Sequence, residues 1–550
     1  MKKSALVIIP VIMLALLAFK PIGENDRYFQ IVKNLDIFAT LFKEVNSYYV
    51  DEINPTQLIK TGIDAMLESL DPYTDYIPED DIEDYMTMTT GEYGGIGALV
   101  DNKDGFNTVI MPYEGSPAHK AGLQIGDQIL KINGIDLTGK NAGDISKLLK
   151  GQSDSDLMLE VKRFKQDELL NISLKREKIT IKNVPYYGMA AEGVGYIKLT
   201  DFTTKAGKEV GSALKKLKSE GAEKVILDLR GNPGGLLDEA IKVSNVFVPK
   251  NKEVVSTKGK LEDWSKKYLT PAEPVDINIP VAVLTDNGSA SASEIVAGVI
   301  QDYDRGVLVG RKTFGKGLVQ QTRPLAYNSQ LKVTTAKYYI PSGRCIQAID
   351  YSRRNSDGSV GKIPDSLKTE FRTANNRMVY DGGGVDPDVV VVRSKPAPIA
   401  RNLFSKDLIF HFATEFHHQN KDIGSAKKFT LTDDQYTQFV DWLDGKDYGY
   451  TTGVDKKISE LIAESKKEKT YELMKPQIDA LMAAAQDNKE SDIEIFKADI
   501  KRFLEQEIAS RYYLQNGIIE SSFKYDQDVL QAVSVLNDTE RYQSILKGSN

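Results

Sequence analysis

The runs Val225–Leu229 and Val281–Thr285 are apolar, β-branched and bounded by turns, as expected for strands buried on both faces. Leu236–Val248 between them has helical periodicity, and a second helix is predicted after the later run, at about residues 292–302. Strands that need cover on both faces, alternating with helices from about residue 165 to 395, indicate an α/β core. With 550 residues the chain is too long for one hydrophobic core, and roughly three or four domains are expected.

Residues 24–85 read as helical, because Ile31, Leu35, Ile37, Leu41 and Val45 recur at helical spacing, as do Leu58, Ile63, Met66 and Leu70; Asp71-Pro72 then breaks the pattern. Residues 91–100 read GEYGGIGALV, a glycine-rich entry into a strand, and short alternating strands follow. The Ser116-Pro117-Ala118 turn, the run Gly122–Asp127, the Asn133-Gly134 turn and the strand Leu157–Arg163 complete a compact β-rich module. After about residue 400 the chain becomes rich in lysine and glutamate, with helical periods and almost no glycine after Gly453. This stretch reads as a separate helical tail.

Met1-Lys2-Lys3 precedes an apolar run from Ala5 to Phe19, about the length of a signal-peptide core and short for a membrane span. Pro10 weakens a rigid spanning helix, and Leu17-Ala18-Phe19-Lys20 offers no clear small-residue cleavage site. Export to the cell envelope or periplasm is expected, either as a cleaved signal peptide or with residues 5–19 kept as a membrane anchor. The formal charge is −7, which argues against nucleic acid as the main partner. The one cysteine, Cys345, rules out an intrachain disulfide and a multi-cysteine zinc site.

Asn287-Gly288-Ser289-Ala290-Ser291-Ala292-Ser293-Glu294 lies between a buried strand and a helix. There an α/β fold presents groups to a ligand, and N–H groups at a helix start can donate to a developing oxyanion. Ser291-Ala292-Ser293-Glu294 also fits a helix capping box, and local sequence leaves both readings open. A nucleophilic serine needs a base. The four histidines, His119, His411, His417 and His418, all lie outside the α/β core. Lysine is the alternative if burial lowers its pKa from about 10.4 toward neutrality. Lys316 in Thr313-Phe314-Gly315-Lys316-Gly317 is the candidate, with Phe314, Leu318 and Val319 available to desolvate it; a solvated turn lysine is the competing reading. Asp228–Gly235 (DLRGNPGG) runs from a strand end through glycines to a helix. It lacks the Gly-Lys-Ser/Thr ending of a phosphate-binding loop, and a nest of backbone N–H groups fits better.

Together LDLRGNPGGLLDEA, GSASASEIVAGVIQD and RKTFGKGLVQ resemble the carboxyl-terminal processing (tail-specific) peptidases, serine proteases with a Ser-Lys dyad. The motifs match in order and spacing, and the resemblance runs from about residue 30 to 395. It implies that Ser291 is the nucleophile, that Lys316, 25 residues later, is the general base, and that Gln320 orients the lysine. It maps the oxyanion hole to the N–H of Ala292 with one from Gly234 or Gly235, and gives Asp302 a supporting role. The β module likewise resembles a PDZ domain in the permuted form this family carries. Gly94, Gly95, Ile96, Gly97 and Ala98 would form the loop that grips a terminal carboxylate, beside a strand edge that pairs with the peptide.

The expected fold is therefore multidomain α/β. A signal peptide or anchor (1–22) and an N-terminal helical region (23–90) precede a PDZ-like peptide-binding domain (91–176). A crotonase-like α/β protease core (177–398) and a C-terminal helical domain (399–550) follow. The expected activity is endoproteolysis of substrates captured by their C-terminal tails, with no cofactor. The C-terminal tail could serve an adaptor or self-association. A catalytically silent envelope scaffold is the alternative, and an acyl-CoA enzyme with the same oxyanion design explains neither the leader nor the PDZ-like module. His411, Glu415 and His418 fall on one helical face, but not at zinc-protease spacing, and Leu408, Phe412 and Phe416 favour an ordinary packed helix over a metal site. Cys345 has no nearby histidine or acid to activate it and reads as structural.

Overall fold

The computed structural model describes residues 24–354 and 359–548, which fall into two units divided between Tyr76 and Ile77. The leader segment 5–19 lies outside the described residues. In the first unit the two predicted helical stretches form α1 (Glu24–Tyr48) and α2 (Pro55–Glu68). The second begins where the Asn54 side chain accepts the Gln57 N–H at 3.1 Å, with Pro55 in the first turn, a position where a missing N–H does no harm. Among the described residues no helix is long and apolar enough to cross a membrane.

In the second unit a short helix (Ile82–Thr90) leads into strand β1 (Glu92–Gly95), which pairs antiparallel with β7 (Glu177–Thr180) and so closes the β-rich module at its base. Between them run β2 (Ala98–Lys103), β3 (Phe106–Pro112), β4 (Gln128–Ile132), helix α3 (Ala142–Leu149), β5 (Asp156–Lys162) and β6 (Leu170–Lys175). The sheet order β2-β3-β4-β5-β6 leaves β2 at an edge. Inward residues such as Val109, Ile129, Leu157 and Leu159 share one core with Ile145 of α3. Gly94 and Gly95 correct the sequence reading: they belong to the β1 ladder, opposite Lys178 and Glu177, and only Ile96 and Gly97 connect β1 to β2.

The α/β core follows. Its six-stranded sheet runs, in spatial order, β8 (Tyr186–Ala191), β9 (Val194–Lys198), β10 (Lys224–Asp228), β11 (Val281–Thr285), β12 (Val307–Gly310) and β15 (Val389–Val390). All neighbours are parallel except β8 and β9. Helices α4 (Ala206–Ser219), α5 (Leu237–Phe247) and α6 (Ala292–Asp302) cover one face, where Leu214, Phe247 and Ile295 meet Val225, Leu227 and Val283. A side sheet pairs β13 (Leu318–Pro324) with β14 (Gln330–Tyr339), and β14 with the strand Glu253–Gly259.

The opposite face of the sheet carries Ile226, Ala282, Leu284 and Val309, which parallel strands cannot leave in water. Its cover comes from far down the chain: α10 (Gln527–Asn537) and α11 (Thr539–Lys547) bring Val529, Ala532, Val535 and Ile545 against it. This corrects the expectation of one separate helical tail. Helices α7 (Pro398–Ser405), α8 (Leu408–Gln419) and most of α9 (Lys497–Ser522) do share a core of their own, from Ala397 to Ile508. Helix α9 then breaks at Leu514 (φ 52°, ψ −138°), and the chain beyond it returns to the sheet.

Candidate active site

The carboxyl ends of the adjacent parallel strands β10, β11 and β12 open into loops 229–236, 286–291 and 311–317. Those loops hold the oxyanion-nest, serine and lysine motifs, so the strand order alone gathers segments distant in sequence. Ser291 stands at the entrance to α6 with φ 53° and ψ −113°, a backbone state that costs energy for a residue with a Cβ and recurs at functional positions. Ser291 is half-buried, whereas its neighbours are committed to structure. The buried Ser289 hydroxyl donates to the Leu229 carbonyl at 2.8 Å, and that of Ser293 to the Asn232 carbonyl at 2.9 Å.

The fully buried carboxylate of Glu294 joins the serine and lysine segments. Its Oε2 accepts the Ser291 N–H at 2.9 Å and the Lys316 N–H at 2.8 Å. Its Oε1 accepts the Thr313 hydroxyl at 2.6 Å and the Gly315 N–H at 2.7 Å. From the other side the Tyr338 hydroxyl donates to the carbonyls of Ser291 and Lys316, at 3.2 and 2.6 Å. The Glu294 bond back to Ser291, one half of the capping box read in the sequence, thus lies within the serine–lysine connection. Sequence reasoning named neither Glu294 nor Tyr338 as a site residue. The acid in SASE was visible, but its use across 22 residues was not.

Burial pushes the Glu294 carboxyl up to about 7, against the pull of the Thr313 hydroxyl and the Lys316, Gly315 and Ser291 N–H groups. The sign follows from linkage. A folded-state pKa above the ordinary 4.5 gives stability that is fully present below that value and is lost as pH rises toward about 7. The ionised form is the one that accepts all these donors, so activity should rise over the window in which stability falls. Glu294→Gln should remove this stability slope between pH 4.5 and 7 and lower kcat by about ten-fold or more, because its NH2 would face donors. Thermal unfolding of both proteins against pH checks this; parallel curves would defeat it.

Gly234 (φ +100°) faces the serine directly. A Cβ there would lie 2.7 Å from the Ala290 carbonyl oxygen, 2.9 Å from the Ala292 nitrogen and 2.9 Å from the Ser291 Cβ. The Gly234 N–H is engaged by Asn232 Oδ1 at 2.9 Å. Gly235 (φ +150°) backs onto the Phe202 carbonyl, 2.6 Å from the position of a Cβ. Gln320 in β13 donates from its amide to Thr334 Oγ1 of β14 at 3.1 Å. Lys316 is half-buried and Leu318 buried, but Phe314 is 49% exposed. Of the three apolar residues read as neighbours of the lysine, Leu318 is thus the buried one.

Asp302 stands at the end of α6, ten residues beyond Ala292, so the helical rise sets it about 15 Å from the serine end. There it pairs with the buried Arg344 guanidinium at 2.8 Å and accepts the Ser342 N–H at 2.9 Å. The segment after Arg344 runs to the lysine loop, where Gln347 Oε1 accepts the Gly317 N–H at 2.7 Å and Ala348 N–H donates to the Gly315 carbonyl at 2.9 Å. Asp302 thus reaches the lysine through intermediaries. Cys345 lies in that segment, and burial pushes its thiol up, opposite to what a nucleophile requires.

In the PDZ-like module a groove of ≈ 190 Å³ lies between edge strand β2 and α3, lined by Ile96, Ala98, Val100, Ile145 and Leu149. The Ile96 carbonyl accepts the Ala118 N–H at 2.9 Å. The Gly97 carbonyl accepts the Tyr113 N–H and the Ser116 hydroxyl, both at 2.8 Å, so the loop carbonyls turn inward. The tail residues considered as metal ligands meet this module instead: His411 bonds Asp104 at 2.7 Å, Glu415 pairs with Lys165 at 2.6 Å, and His418 lies edge-on to Phe164.

A half-buried serine at a strand end, in an α/β core that carries a peptide-groove module, is an arrangement open to a serine-type peptidase. Comparison with known proteins agrees. Residues 193–352 match peptidase family S41, residues 109–163 a PDZ domain, and residues 399–536 the "Probable PDZ-protease, C-terminal helical domain". The carboxy-terminal-processing protease of Bartonella bacilliformis is 38% identical over 332 residues, 60% of this chain and 75% of that protein. A "Probable CtpA-like serine protease" of Staphylococcus aureus is 37% identical over 318 residues, 57% of this chain and 62% of that protein. The solved photosystem II D1 C-terminal processing protease is 25% identical, with 64% of this chain and 92% of that chain covered and a TM-score of 0.35. The chain belongs to the carboxy-terminal-processing peptidase family.

Proposed function

We propose that this protein is an exported endopeptidase that takes the C-terminal regions of protein substrates in the PDZ groove and cleaves them with a Ser291–Lys316 dyad. The neutral Lys316 amine, oriented by Gln320, accepts the proton as Ser291 Oγ attacks the scissile carbonyl. The carbonyl oxygen gains the negative charge, for which the Ala292 and Gly235 N–H groups are the proposed donors, since that of Gly234 is held by Asn232. Collapse breaks the C–N bond, the lysine gives its proton to the leaving amine, and water repeats the sequence on the acyl-enzyme. Asp302 supports the lysine loop through Arg344. In the groove the Ile96, Gly97 and Ala98 N–H groups are the proposed carboxylate cradle, and the free edge of β2 pairs with the peptide.

The observation that carries this reading is the double tie between the two segments, Glu294 Oε2 on both N–H groups and Tyr338 on both carbonyls. A solvated turn lysine needs no such link to a serine. The α/β core is read as crotonase-like, and residues 1–22 as an export signal to the cell envelope or periplasm, with 5–19 as the anchor where it is retained. The helical segment after residue 400 is the place proposed for an adaptor or a second copy.

The test is incubation of the purified full chain with an unstructured polypeptide that ends in a free apolar C-terminus, with fragments read by mass spectrometry. Cleavage is expected in the presence of a chelator and its loss in Ser291→Ala. Binding without cleavage by the wild-type chain would leave only the scaffold, and metal-reversible inhibition would overturn the dyad.

A further inference from the structure

We propose that the entrance of α10, 296 to 298 residues beyond Arg230, positions the oxyanion loop through that arginine, so that Asp526 and Asp528 are positioning residues for catalysis. Arg230 is the side chain between the end of β10 and the Gly231–Gly235 nest. On one side its Nε and Nη2 donate to the two carboxylate oxygens of Asp228 at 2.9 and 2.6 Å. On the other its Nη1 donates to Asp526 Oδ1 at 2.8 Å and Asp528 Oδ2 at 3.0 Å, and Nη2 lies 2.8 Å from Asp526 Oδ2. Arg393 also pairs with Asp528. Tyr196 donates to Asp228 at 2.6 Å, and Lys198 to the Arg230 carbonyl at 2.7 Å. Three acids and three bases thus interlock, namely Asp228, Asp526, Asp528, Lys198, Arg230 and Arg393.

This cluster is an unneeded expense if α10 only has to stay on the sheet. Val529, Ala532, Val535 and Leu536 already fix the helix by apolar burial, and burying ion pairs commonly adds little to stability or subtracts from it. Asp528 is fully buried, and among the described residues its Oδ1 has no hydrogen-bond partner. What the cluster does achieve is positional. It grips the loop at Arg230, while the far side of the loop is tied to the serine segment: Gly231 N–H to Asp286 Oδ1 at 2.9 Å, and Ala290 N–H to the Asn232 carbonyl at 3.0 Å. Held from both ends, the loop keeps the Gly235 N–H, its proposed oxyanion donor, in one place, and oxyanion donors work only when so fixed in advance.

The inference rests on the oxyanion-hole reading above, and one experiment separates the two. The full chain is reacted with a peptidyl phosphonate, whose adduct on a serine places an oxygen in the oxyanion hole, and turnover of a peptide is measured beside it. Wild-type protein should be labelled at Ser291. Asp528→Asn should label and turn over about ten-fold more slowly with KM within about two-fold. Arg230→Gln with Asp528→Asn should be no slower than Arg230→Gln alone, because both act through one contact. Should Asp528→Asn fail to fold, Asp526→Asn, which keeps a helix-capping side chain, carries the same test with a loss of about three-fold. Wild-type rates in the folded variant, or losses that merely track the folded fraction, overturn the inference alone. An unlabelled Ser291 in wild-type protein overturns the nucleophile reading as well.

Discussion

Replacing Lys316 by arginine should lower kcat by about 10³-fold while leaving the fold intact. A guanidinium is effectively always protonated, so it can fill the space and carry the charge but cannot take the proton of Ser291. The local main chain should tolerate the change, because the contacts that fix this segment are backbone bonds, from the Lys316 N–H to Glu294 and to the Lys316 carbonyl from Tyr338. Thermal unfolding should therefore be close to wild type. Peptide capture in the PDZ groove should also persist, since β2 and α3 take no part in the lysine loop. Substantial turnover by the arginine variant would remove Lys316 from the base role and send the search back to residues outside the three loops.

Gly234→Ala should be nearly as damaging, by about 10²-fold in kcat/KM or more, and for a steric reason. The φ of +100° already disfavours a side chain, and its Cβ would meet the Ala290 oxygen at 2.7 Å and the Ala292 nitrogen and Ser291 Cβ at 2.9 Å. Relief requires separating the nest from the serine turn, and that separation displaces the Ala292 N–H and the nucleophile together. A matched control is Gly231→Ala, where φ is +69° but a Cβ would meet nothing within 4 Å. It should carry backbone strain without the clash and lose far less. Equal losses in the two would show that strain alone, and not the contact with Ser291, explains Gly234.

The core strands and the site motifs were legible in the sequence because both are local. Continuous β-branched runs betray strands buried on both faces, and DLRGNPGG, SASASE and FGKG each span one strand end, loop or helix entrance. What joins those loops was not legible. Glu294 reads as a helix cap until its other oxygen is seen on Gly315 and Thr313, and Tyr338 is one more β-branched-strand neighbour until its hydroxyl is seen between two carbonyls. Asp302 was legible as the end of its helix, but its pairing with Arg344 and the Ser342 N–H, which come from a segment about 40 residues on, was not. Gly94 and Gly95 looked like loop residues because glycine weakens a strand assignment, yet a Cβ on Gly94 would lie 2.1 Å from the Gly151 carbonyl. They are strand glycines that let other groups come close, Gly151 at Gly94 and the Tyr93 ring at Gly95.

The cover that α10 and α11 provide also sets an order on biosynthesis. A chain emerging from the ribosome presents β9 through β12 long before residues 527–547 exist. Until then Ile226, Ala282, Leu284 and Val309 have α4, α5 and α6 behind them and only water in front. Domains generally close as their segments become available, so the sheet can collapse early on one side but cannot finish. The peptidase is thereby the last part of its own chain to mature, and a nascent or prematurely ended copy is born without a working blade.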